Sequence, residues 1–583
     1  MVELRRLLIA NRGEIAVRIV RACREMGISP VIAIGPGEQA SLAAEIADAI
    51  VDVPSYLDAG SIVRAGVEAA ADAVHPGYGF LAEDAAFAEL VLEAGLVWVG
   101  PPPEAMRALG DKVAARAVAE AAGVPVVPGS AGEGLSDGAL IEQAERLGLP
   151  LLVKAAAGGG GRGMRTVEEL ADLPGALAAA REEAAASFGD ERVFLERRLG
   201  KVHHVEVQVL LDDHGNAVHL GERDCSLQRR HQKIVEESPS PTVDDAMRET
   251  LGEAAIAIAE RAGYRGAGTA EFLLGDDGDW WFLEMNARLQ VEHPVTEAVA
   301  GVDLVRAQLA MAAGAPLGFD QGDVALRGHA IEVRIYAEDP ANGFLPSGGR
   351  VDLLDLPRWP GVRIDTALRE GDVVGLGYDP LLAKVIAWAE DRQAAIARLS
   401  AALDEVRIVG LATNLGFLLD VLERPEMRDG TADTDWVEAM WTPRVPVLPD
   451  DVIADRGISD PWIAFGAAGD AGDAGRAPTR GVTVAGAHAQ FQGWSYEIAD
   501  DEHEATELAP PGGSLVAPMP ASVLRVEVAV GDTVAAGQVV ALLEAMKIQV
   551  QIVAPAAGSV NAVHVVAGDV VARGEVLIEV VEP

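Results

Sequence analysis

The chain has 583 residues, enough for about four domains, and its 90 acidic residues outnumber its 47 basic ones, giving a formal net charge of −43. We therefore expect no nucleic-acid partner and no docking on an anionic membrane, because both need clustered cations. Cys23 and Cys225 are the only cysteines, which excludes a disulfide scaffold and a cysteine-rich zinc site. No signal peptide and no membrane-spanning apolar run is present, so a soluble cytoplasmic protein is expected.

Residues 4–34 alternate between apolar strands and an amphipathic helix. Leu7–Ala10 and Val31–Ile34 are predicted to be strands, and the apolar residues of 14–26 recur at helical spacing. This alternation predicts an open parallel α/β sheet for a first domain at residues 1–111. The turn after the first strand lacks the G-x-G-x-x-G pattern, so no dinucleotide site is expected there.

Changes in composition predict four further segments. Residues 112–325 mix Ala-rich helices with strand pairs, which predicts an α+β domain, and residues 326–441 begin with a strand and end in helices. Residues 442–513 are rich in Pro, Gly, Asp and Ala, which indicates a linker with a small β-rich island. The last segment, 514–583, contains a repeat with a period of 37 residues.

The repeat places Ala517-Pro518 on Ala554-Pro555 and Gly531-Asp532 on Gly568-Asp569. Each copy consists of short strand-like runs between Gly turns, so we predict an all-β sandwich built from two related halves. The halves join at Lys547, which we expect in a tight, solvent-exposed turn between two strands. Lysines are rare in this chain, and the six are Lys112, Lys154, Lys201, Lys233, Lys384 and Lys547.

A glycine tract follows a predicted strand that ends at Lys154. Residues without Cβ atoms would let backbone N–H groups close on phosphate oxygens. The tract is not a Walker A loop, because no Gly-Lys-Ser/Thr follows it. A flexible linker is the alternative, and the adjacent Lys154 favours phosphate binding. The glycines concerned are Gly158, Gly159, Gly160, Gly161 and Gly163.

Residues 269–284 are predicted to form a β-hairpin that turns at Asp277-Gly278. This register places Glu271 directly opposite Glu284, where two carboxylates repel each other. A divalent cation between them would remove the repulsion, and their hard oxygen ligands suit Mg²⁺. The alternative is an exposed hairpin face on which both acids are hydrated.

Polar residues alternate along the chain after this hairpin. In an extended segment they would share one face, where they could bind and deprotonate a small oxyanion. A structural salt-bridge ladder is the competing explanation. These residues are Asn286, Arg288, Gln290 and Glu292.

Long motifs in a fixed order make residues 4–440 resemble the biotin carboxylase family, a branch of the ATP-grasp enzymes. They are IANRGEIA, HPGYGFL, GDK, GGGGRGM, ERDCSLQRRHQK, EMNARLQVEHPVTE and RGHAIEVRIYAEDP. The EAMK sequence around Lys547 resembles the attachment motif of biotin carboxyl carrier domains, whereas lipoyl carriers usually have D-K-A. The whole chain is similar to the biotin-containing α subunit of an acyl-CoA carboxylase of the acetyl-CoA or propionyl-CoA type.

The resemblance implies a multidomain α/β and α+β fold: a pre-ATP-grasp domain, an ATP-grasp domain, a C-terminal biotin carboxylase domain and an all-β biotinyl domain. It implies Mg²⁺ or Mn²⁺ ligands at Glu271, Glu284 and Asn286. Besides the glycine loop, the residues that it implies around ATP are Lys112, Lys154, Glu196, Leu199, His204, Gln228 and His231.

The resemblance also implies the reaction. Glu292 matches the base that deprotonates bicarbonate, whose attack on the γ-phosphate of ATP gives carboxyphosphate and ADP. Arg334 matches the residue that stabilises the biotin enolate, and biotin is attached covalently to Lys547. The matching bicarbonate pocket consists of Lys233, Arg288, Gln290, Val291 and Glu292.

No segment resembles a carboxyltransferase, so the resemblance implies a separate carboxyltransferase β subunit. It also implies a biotin protein ligase and a homo-oligomeric biotin carboxylase. Acyl-CoA is the favoured acceptor class, and pyruvate or a urea-like acceptor is the alternative. A non-catalytic biotin scaffold and an ATP-grasp ligase with a lipoyl-like carrier are further hypotheses. Lys201 and Lys384 have no role that the sequence assigns.

Overall fold

The computed structural model describes residues 2–130, 134–156, 164–446, 482–485, 488–497, 514–517, 521–545, 548–571 and 574–581. Within these ranges, no helix combines the length and the apolar character needed to cross a membrane.

The first domain is an open parallel α/β sheet. Its elements are β1 (Arg6–Ile9), α1 (Gly13–Glu25), β2 (Ser29–Ile34), α2 (Leu42–Ile46), β3 (Ala49–Asp52), α3 (Ala59–Glu68), β4 (Ala73–His75), α4 (Ala85–Glu93), β5 (Val97–Trp98) and α5 (Pro103–Gly110). The strand order is β3-β2-β1-β4-β5, and all the pairs are parallel. Leu7 and Leu8 point to opposite faces, and both are buried because helices cover both faces. The predicted strand–helix–strand pattern is confirmed.

The second domain adds a small antiparallel sheet and part of a larger one. Its elements are α6 (Lys112–Ala121), α7 (Asp137–Leu147), β6 (Leu151–Ala155), β7 (Arg165–Val167), α8 (Leu173–Phe188), β8 (Val193–Arg197), β9 (Val202–Leu211), β10 (Ala217–Arg229), β11 (Gln232–Ser238), α9 (Asp245–Arg261), β12 (Gly266–Gly275), β13 (Trp280–Asn286), α10 (His293–Ala300) and α11 (Leu304–Ala312). The small sheet has the order β7-β6-β8, and α7 and α8 pack against it.

The third domain continues the larger sheet. Its elements are β14 (His329–Tyr336), β15 (Glu338–Asp339), β16 (Leu345–Pro346), β17 (Gly349–Arg350), β18 (Leu353–Asp355), β19 (Val362–Thr366), β20 (Val373–Val374), β21 (Leu381–Ala389), α12 (Arg392–Glu405), β22 (Arg407–Val409), α13 (Leu415–Glu423), α14 (Pro425–Asp429) and α15 (Trp436–Met440). The larger sheet has eight strands in the order β13-β12-β9-β10-β11-β14-β21-β19. The pairing of β11 with β14 therefore joins two segments that composition alone separates at residue 326.

The predicted hairpin is confirmed, since β12 pairs with β13 and Glu271 lies opposite Glu284. A register shift follows Glu271, so the next pair joins Phe272 to Phe282. Such a bulge redirects side chains, and here it lies beside the candidate metal ligands. The prediction of an extended run beyond Asn286 is wrong, because β13 ends there and the chain bends before α10 begins.

Part of the predicted β-rich island packs on the third domain. Strands β23 (Val482–Ala485), β24 (His488–Phe491) and β25 (Trp494–Glu497) form an antiparallel sheet. The side chain of Gln490 is 2 % exposed; its Oε1 accepts from the Ile408 N–H at 2.9 Å, and its Nε2 donates to the Val406 carbonyl at 3.0 Å. These bonds attach the small sheet to the strand β22. The rest of 442–513 lies outside the described residues.

The last segment is a sandwich of two four-stranded sheets. Its strands are β26 (Ser514–Val516), β27 (Ala521–Val526), β28 (Thr533–Val534), β29 (Val539–Ala545), β30 (Ile548–Val553), β31 (Gly558–Val563), β32 (Val570–Val571) and β33 (Val576–Val581). The orders are β26-β33-β31-β28 and β30-β29-β27-β32, and exchanging the two halves of the repeat converts one into the other. The predicted two-copy sandwich is confirmed. Ala545 pairs with Ile548, so a two-residue connection contains Lys547, which itself lies outside the described residues.

Candidate active site

The site lies on one face of the eight-stranded sheet, where a row of ionisable residues crosses four adjacent strands. Arg223 on β10 pairs with Glu206 on β9, Glu206 pairs with Glu271 on β12, and Glu271 pairs with Glu284 on β13. Directly opposed residues of antiparallel strands point to the same side, so three carboxylates stand next to one another. A row of this kind needs cations to offset its repulsion.

Lys233 on β11 supplies one of these cations. Its Nζ donates to Glu271 Oε1 at 2.8 Å, to Glu292 Oε1 at 2.8 Å and to Glu206 Oε2. Burial lowers the pKa of Lys233, but the three carboxylates outweigh burial and hold this pKa well above its ordinary value. The ammonium therefore stays charged at the centre of the cluster. Gln228, a predicted nucleotide residue, lies on the neighbouring strand β10 and pairs with Lys233.

Arg334 on β14 contacts the other oxygen of Glu292. Its Nη2 donates to Glu292 Oε2 at 2.9 Å, and its Nε donates to Glu236 Oε1. Burial raises the pKa of Glu292, but Lys233 and Arg334 outweigh it and hold that pKa well below its ordinary value. Glu292 is thus an ionised carboxylate with one cation on each oxygen.

The bend after β13 gathers the remaining predicted polar residues. Arg288 donates to Gln290 Oε1 at 2.8 Å and to Asn286 Oδ1 at 3.0 Å, and the amide nitrogens of Asn286 and Gln290 both donate to Glu271 Oε1, at 2.8 and 3.2 Å. The residues meet through the bend rather than through the shared face of an extended strand. Val291 completes the segment that leads into Glu292.

The predicted metal ligands Glu271, Glu284 and Asn286 lie at the β12–β13 end of the row. Glu271 and Glu284 are directly paired, and Asn286 follows Glu284 by two residues on the same face of β13. Two carboxylates and one amide oxygen form a donor set that suits Mg²⁺ or Mn²⁺. The structure also groups His204, Glu206 and Glu271, whose ligand atoms lie within 4.8 Å of one another. Lys233 already contacts Glu206 and Glu271 there.

The two predicted phosphate-binding lysines lie on different supports. Lys112 begins α6, and its Nζ is 3.3 Å from Glu284 Oε2, which brings it to the metal-ligand end of the row. Lys154 is the penultimate residue of β6 and contacts Glu196 on β8. Glu196 also accepts a hydrogen bond from Arg116 at 2.9 Å. The small sheet therefore presents one lysine, and the N-terminus of α6 presents the other beside the large sheet.

The remaining predicted nucleotide residues surround this area at different depths. His204 Nε2 lies 2.9 Å from Glu271 Oε2. Leu199 is half-buried in the connection that follows β8. His231 lies in the β10–β11 turn, where its φ of 63° is left-handed. The glycine loop (Gly158, Gly159, Gly160, Gly161 and Gly163) lies outside the described residues.

Sequence reasoning missed several residues that support the site. Glu206 and Glu236 lie on interior strands of the sheet, where they contact Lys233 and Arg334. Glu83, from the first domain, lies 3.1 Å from Arg288 Nε. The signal was present for Glu206, because it is the one acid in the strand β9 and an acid is rarely buried without a cationic partner. It was absent for Glu236, which is followed directly by a second acid, Glu237.

The large sheet, the small sheet and the lysine–carboxylate cluster are those of an ATP-grasp enzyme. Residues 3–106 match the family described as "Biotin carboxylase, N-terminal domain", residues 111–319 match "Carbamoyl-phosphate synthase L chain, ATP binding domain", and residues 332–439 match "Biotin carboxylase C-terminal domain". The biotin carboxylase of Nostoc sp. is 46% identical over 441 residues, which cover 75% of this chain and 99% of that protein. The chain belongs to the biotin carboxylase family.

Two further comparisons extend this result. The α subunit of rat mitochondrial methylcrotonoyl-CoA carboxylase is 45% identical over 439 residues, or 74% of this chain and 61% of that subunit, so the match spans about three fifths of that relative. The biotin carboxylase domain dimer of Hydrogenobacter thermophilus 2-oxoglutarate carboxylase, solved with MgADP, ADP and bicarbonate, has a TM-score of 0.74 and 40% identity, covering 75% of this chain and 98% of that one. Residues 513–580 match the family described as "Biotin-requiring enzyme".

The pKa of Glu236 gives a test of the buried cluster. Burial raises this pKa from 4.5 to about 7, although Arg334 opposes the rise. As the pH rises from 4.5 to about 7, unfolded wild-type chains lose this proton while folded ones keep it, so folding becomes less favourable. Glu236→Gln removes that penalty, and the variant should gain roughly 3 kcal/mol over wild type across this range, at about 1.4 kcal/mol per pKa unit.

Urea unfolding of both proteins between about pH 5 and about pH 8 measures the difference. Glu260→Gln, which alters an exposed carboxyl on α9, is the control and should follow wild type. A stability difference between Glu236→Gln and wild type that does not change with pH contradicts the raised pKa.

Proposed function

We propose that this chain carboxylates biotin carried on its own Lys547, with ATP and bicarbonate as substrates, as the biotin carboxylase and carrier subunit of an acyl-CoA carboxylase. The observation that supports this most strongly is the environment of Glu292. Its two oxygens contact Lys233 at 2.8 Å and Arg334 at 2.9 Å. A buried carboxylate between two cations suits a site that binds a small anion and then takes its proton.

Bicarbonate binding, in this proposal, uses the cations that contact Glu292. An entering anion competes for Lys233 and Arg334, and each contact that Glu292 loses raises its pKa and therefore its basicity. Arg288 adds a planar guanidinium that suits a carboxylate-like ligand. Glu292 then accepts the bicarbonate proton as a bicarbonate oxygen attacks the γ-phosphorus, which forms carboxyphosphate and releases ADP.

The lysines at the nucleotide end bind the phosphates of ATP. Lys112 and Lys154 each contact one carboxylate, at Glu284 and Glu196, and an ammonium has three N–H donors. Among the described residues these are their only carboxylate contacts, so the other N–H donors could reach phosphate oxygens. Burial lowers the pKa of Lys112, but Glu284 and Glu196 outweigh burial and hold this pKa above its ordinary value, so Lys112 stays charged near the transferred phosphoryl group.

Two groups that the protein would hold complete the chemistry. Glu271, Glu284 and Asn286 would hold Mg²⁺ or Mn²⁺, which offsets charge on the transferred phosphoryl group. Biotin on Lys547 supplies the ring nitrogen that accepts the carboxyl group. Arg334, oriented by Glu236, is the cation of the chain that we assign to the biotin ring.

The partners follow from the same proposal. A separate carboxyltransferase β subunit takes the carboxyl group to an acyl-CoA, and a biotin protein ligase modifies Lys547. The similarity to the rat methylcrotonoyl-CoA carboxylase α subunit supports this acceptor class. A non-CoA acceptor such as a 2-oxo acid is the second candidate, favoured by the similarity to a 2-oxoglutarate carboxylase domain. That domain was solved as a dimer, which supports a homo-oligomer here.

Glu292→Gln tests the assigned base. The amide keeps the shape of Glu292 but cannot accept the bicarbonate proton, so bicarbonate- and biotin-dependent release of phosphate from ATP should fall by about 100-fold or more. Glu249→Gln changes an exposed acid and should retain wild-type turnover. Turnover of Glu292→Gln equal to that of wild type would falsify the assignment.

Lys547→Arg tests the attachment site. Arginine keeps the positive charge but cannot form the biotin amide, so the variant should lose its streptavidin-blot signal while the exposed control Lys201→Arg keeps it. Mass spectrometry of the wild-type peptide separates biotin from lipoate, which adds a different mass. A lipoylated or unmodified Lys547 in a cell that biotinylates its carriers contradicts the proposal.

The acceptor is tested with the chain and its copurified partner subunit. Fixation of radiolabelled bicarbonate into acid-stable product should occur with at least one member of a panel of acetyl-CoA, propionyl-CoA and longer or branched acyl-CoA. Pyruvate, 2-oxoglutarate and urea should give no product. Fixation with one of these three and with none of the acyl-CoA substrates would establish the second candidate instead.

A further inference from the structure

Lys384 is one of the two lysines without a role assigned from the sequence, and the structure buries it completely on β21. Its Nζ donates a hydrogen bond to the Val291 carbonyl at 2.8 Å. The same Nζ lies 3.4 Å from Glu14 Oε1 and 3.8 Å from Asp365 Oδ2. One ammonium therefore contacts α1 of the first domain, β19 of the third domain and the segment that leads into Glu292.

Acidic neighbours keep Lys384 charged. Burial lowers its pKa, but Glu14, Glu332 and Asp365 outweigh burial and hold the pKa above its ordinary value, with Arg363 acting against them. A buried ammonium without partners costs several kcal/mol, so these acids are what allow the charge to remain. The shortest contact is nevertheless with a neutral group, the Val291 carbonyl, which charge compensation alone does not require.

That carbonyl belongs to a segment with no regular backbone ladder. From Ala287 to Glu292 the chain is neither strand nor helix. Lys384 donates to the Val291 carbonyl, near the end of this segment. Val291 and Glu292 share a peptide bond, so the contact restrains the backbone from which the Glu292 side chain reaches Lys233 and Arg334. An error of about 1 Å at such a group costs as much as 100-fold in rate.

We propose that Lys384 is a positioning residue for the carboxylation reaction, holding the Val291–Glu292 peptide so that the Glu292 carboxylate stays between Lys233 and Arg334. The inference rests on the proposed function. Lys384 is fully buried and acts on the substrate only through this peptide.

The experiment makes two comparisons. Lys384→Met is compared with wild type, and the double variant that carries both Lys384→Met and Glu14→Gln is compared with Glu14→Gln alone. Methionine preserves the length of the side chain and removes the donor and the charge. Lys384→Met alone takes the cation away from Glu14, Glu332 and Asp365. Neutralising Glu14 removes one of these buried acids and Asp365 keeps its contact with Arg363 at 2.7 Å, so the double variant is the one expected to fold. Lys201→Met, at an exposed position, is the control for the substitution itself.

Bicarbonate-dependent phosphate release from ATP, with free biotin, gives kcat and the KM for each substrate. We expect kcat/KM for bicarbonate to fall by about 100-fold in the double variant relative to Glu14→Gln, with the KM for ATP within about twofold. Circular dichroism confirms that each variant is folded. Lys201→Met should match wild type.

Three results overturn the inference, and they are distinguishable. A folded double variant with the same kcat/KM for bicarbonate as Glu14→Gln shows that Lys384 only balances charge, while the proposed function stands. A wild-type chain, biotinylated and supplied with metal, that shows no bicarbonate-dependent turnover removes the proposed function and this inference together. Equal increases in the KM for bicarbonate and in the KM for ATP indicate a general loosening of the site, and they also overturn the inference.

Discussion

The structure of the active site depends on the electrostatics of one row of side chains across the large sheet. Strand register sets Glu206, Glu271 and Glu284 side by side on one face, with Arg223 at one end. Like charges in direct opposition are destabilising, and burial increases the cost. Lys233 offsets the repulsion at the centre of the row, because its ammonium contacts two of these acids. The same crowding of carboxylates is what makes the other end of the row suitable for a divalent cation.

Residues from all three N-terminal domains complete the row, because the three domains pack against one another around it. The pairing of β11 with β14 continues the sheet from the second domain into the third and brings Arg334 to Glu292. Glu83 reaches Arg288 from the first domain. Lys384 contacts groups from all three. A shift of one domain against another therefore changes the surroundings of the Glu292 carboxylate directly.

Local features were predictable from the sequence. The Glu271–Glu284 pairing follows from a short turn at Asp277-Gly278, and the two-copy sandwich follows from its own repeat. The bend after Asn286 was not predictable. Alternating polar residues favour a strand, whereas the end of β13 depends on its pairing with β12 and not on the residues of the bend. The docking of β23–β25 on the third domain was equally hidden. It depends on Gln490 hydrogen-bonding a strand more than 80 residues earlier in the chain.

The sequence by itself determined the family that the chain resembles and the division into a biotin carboxylase part and a β-sandwich, and it predicted the candidate reactive groups apart from Glu83, Glu206 and Glu236. Motif spacing and hairpin register are short-range properties, so they can be deduced without knowledge of the fold. Only the tertiary structure decided which cation meets which carboxylate. Glu236 holds Arg334, Lys233 joins three acids, and Lys384 holds the Val291 carbonyl. These contacts join residues far apart in the chain, and they exist because strand order brings those residues to one buried face, where an unpaired charge is too costly to remain.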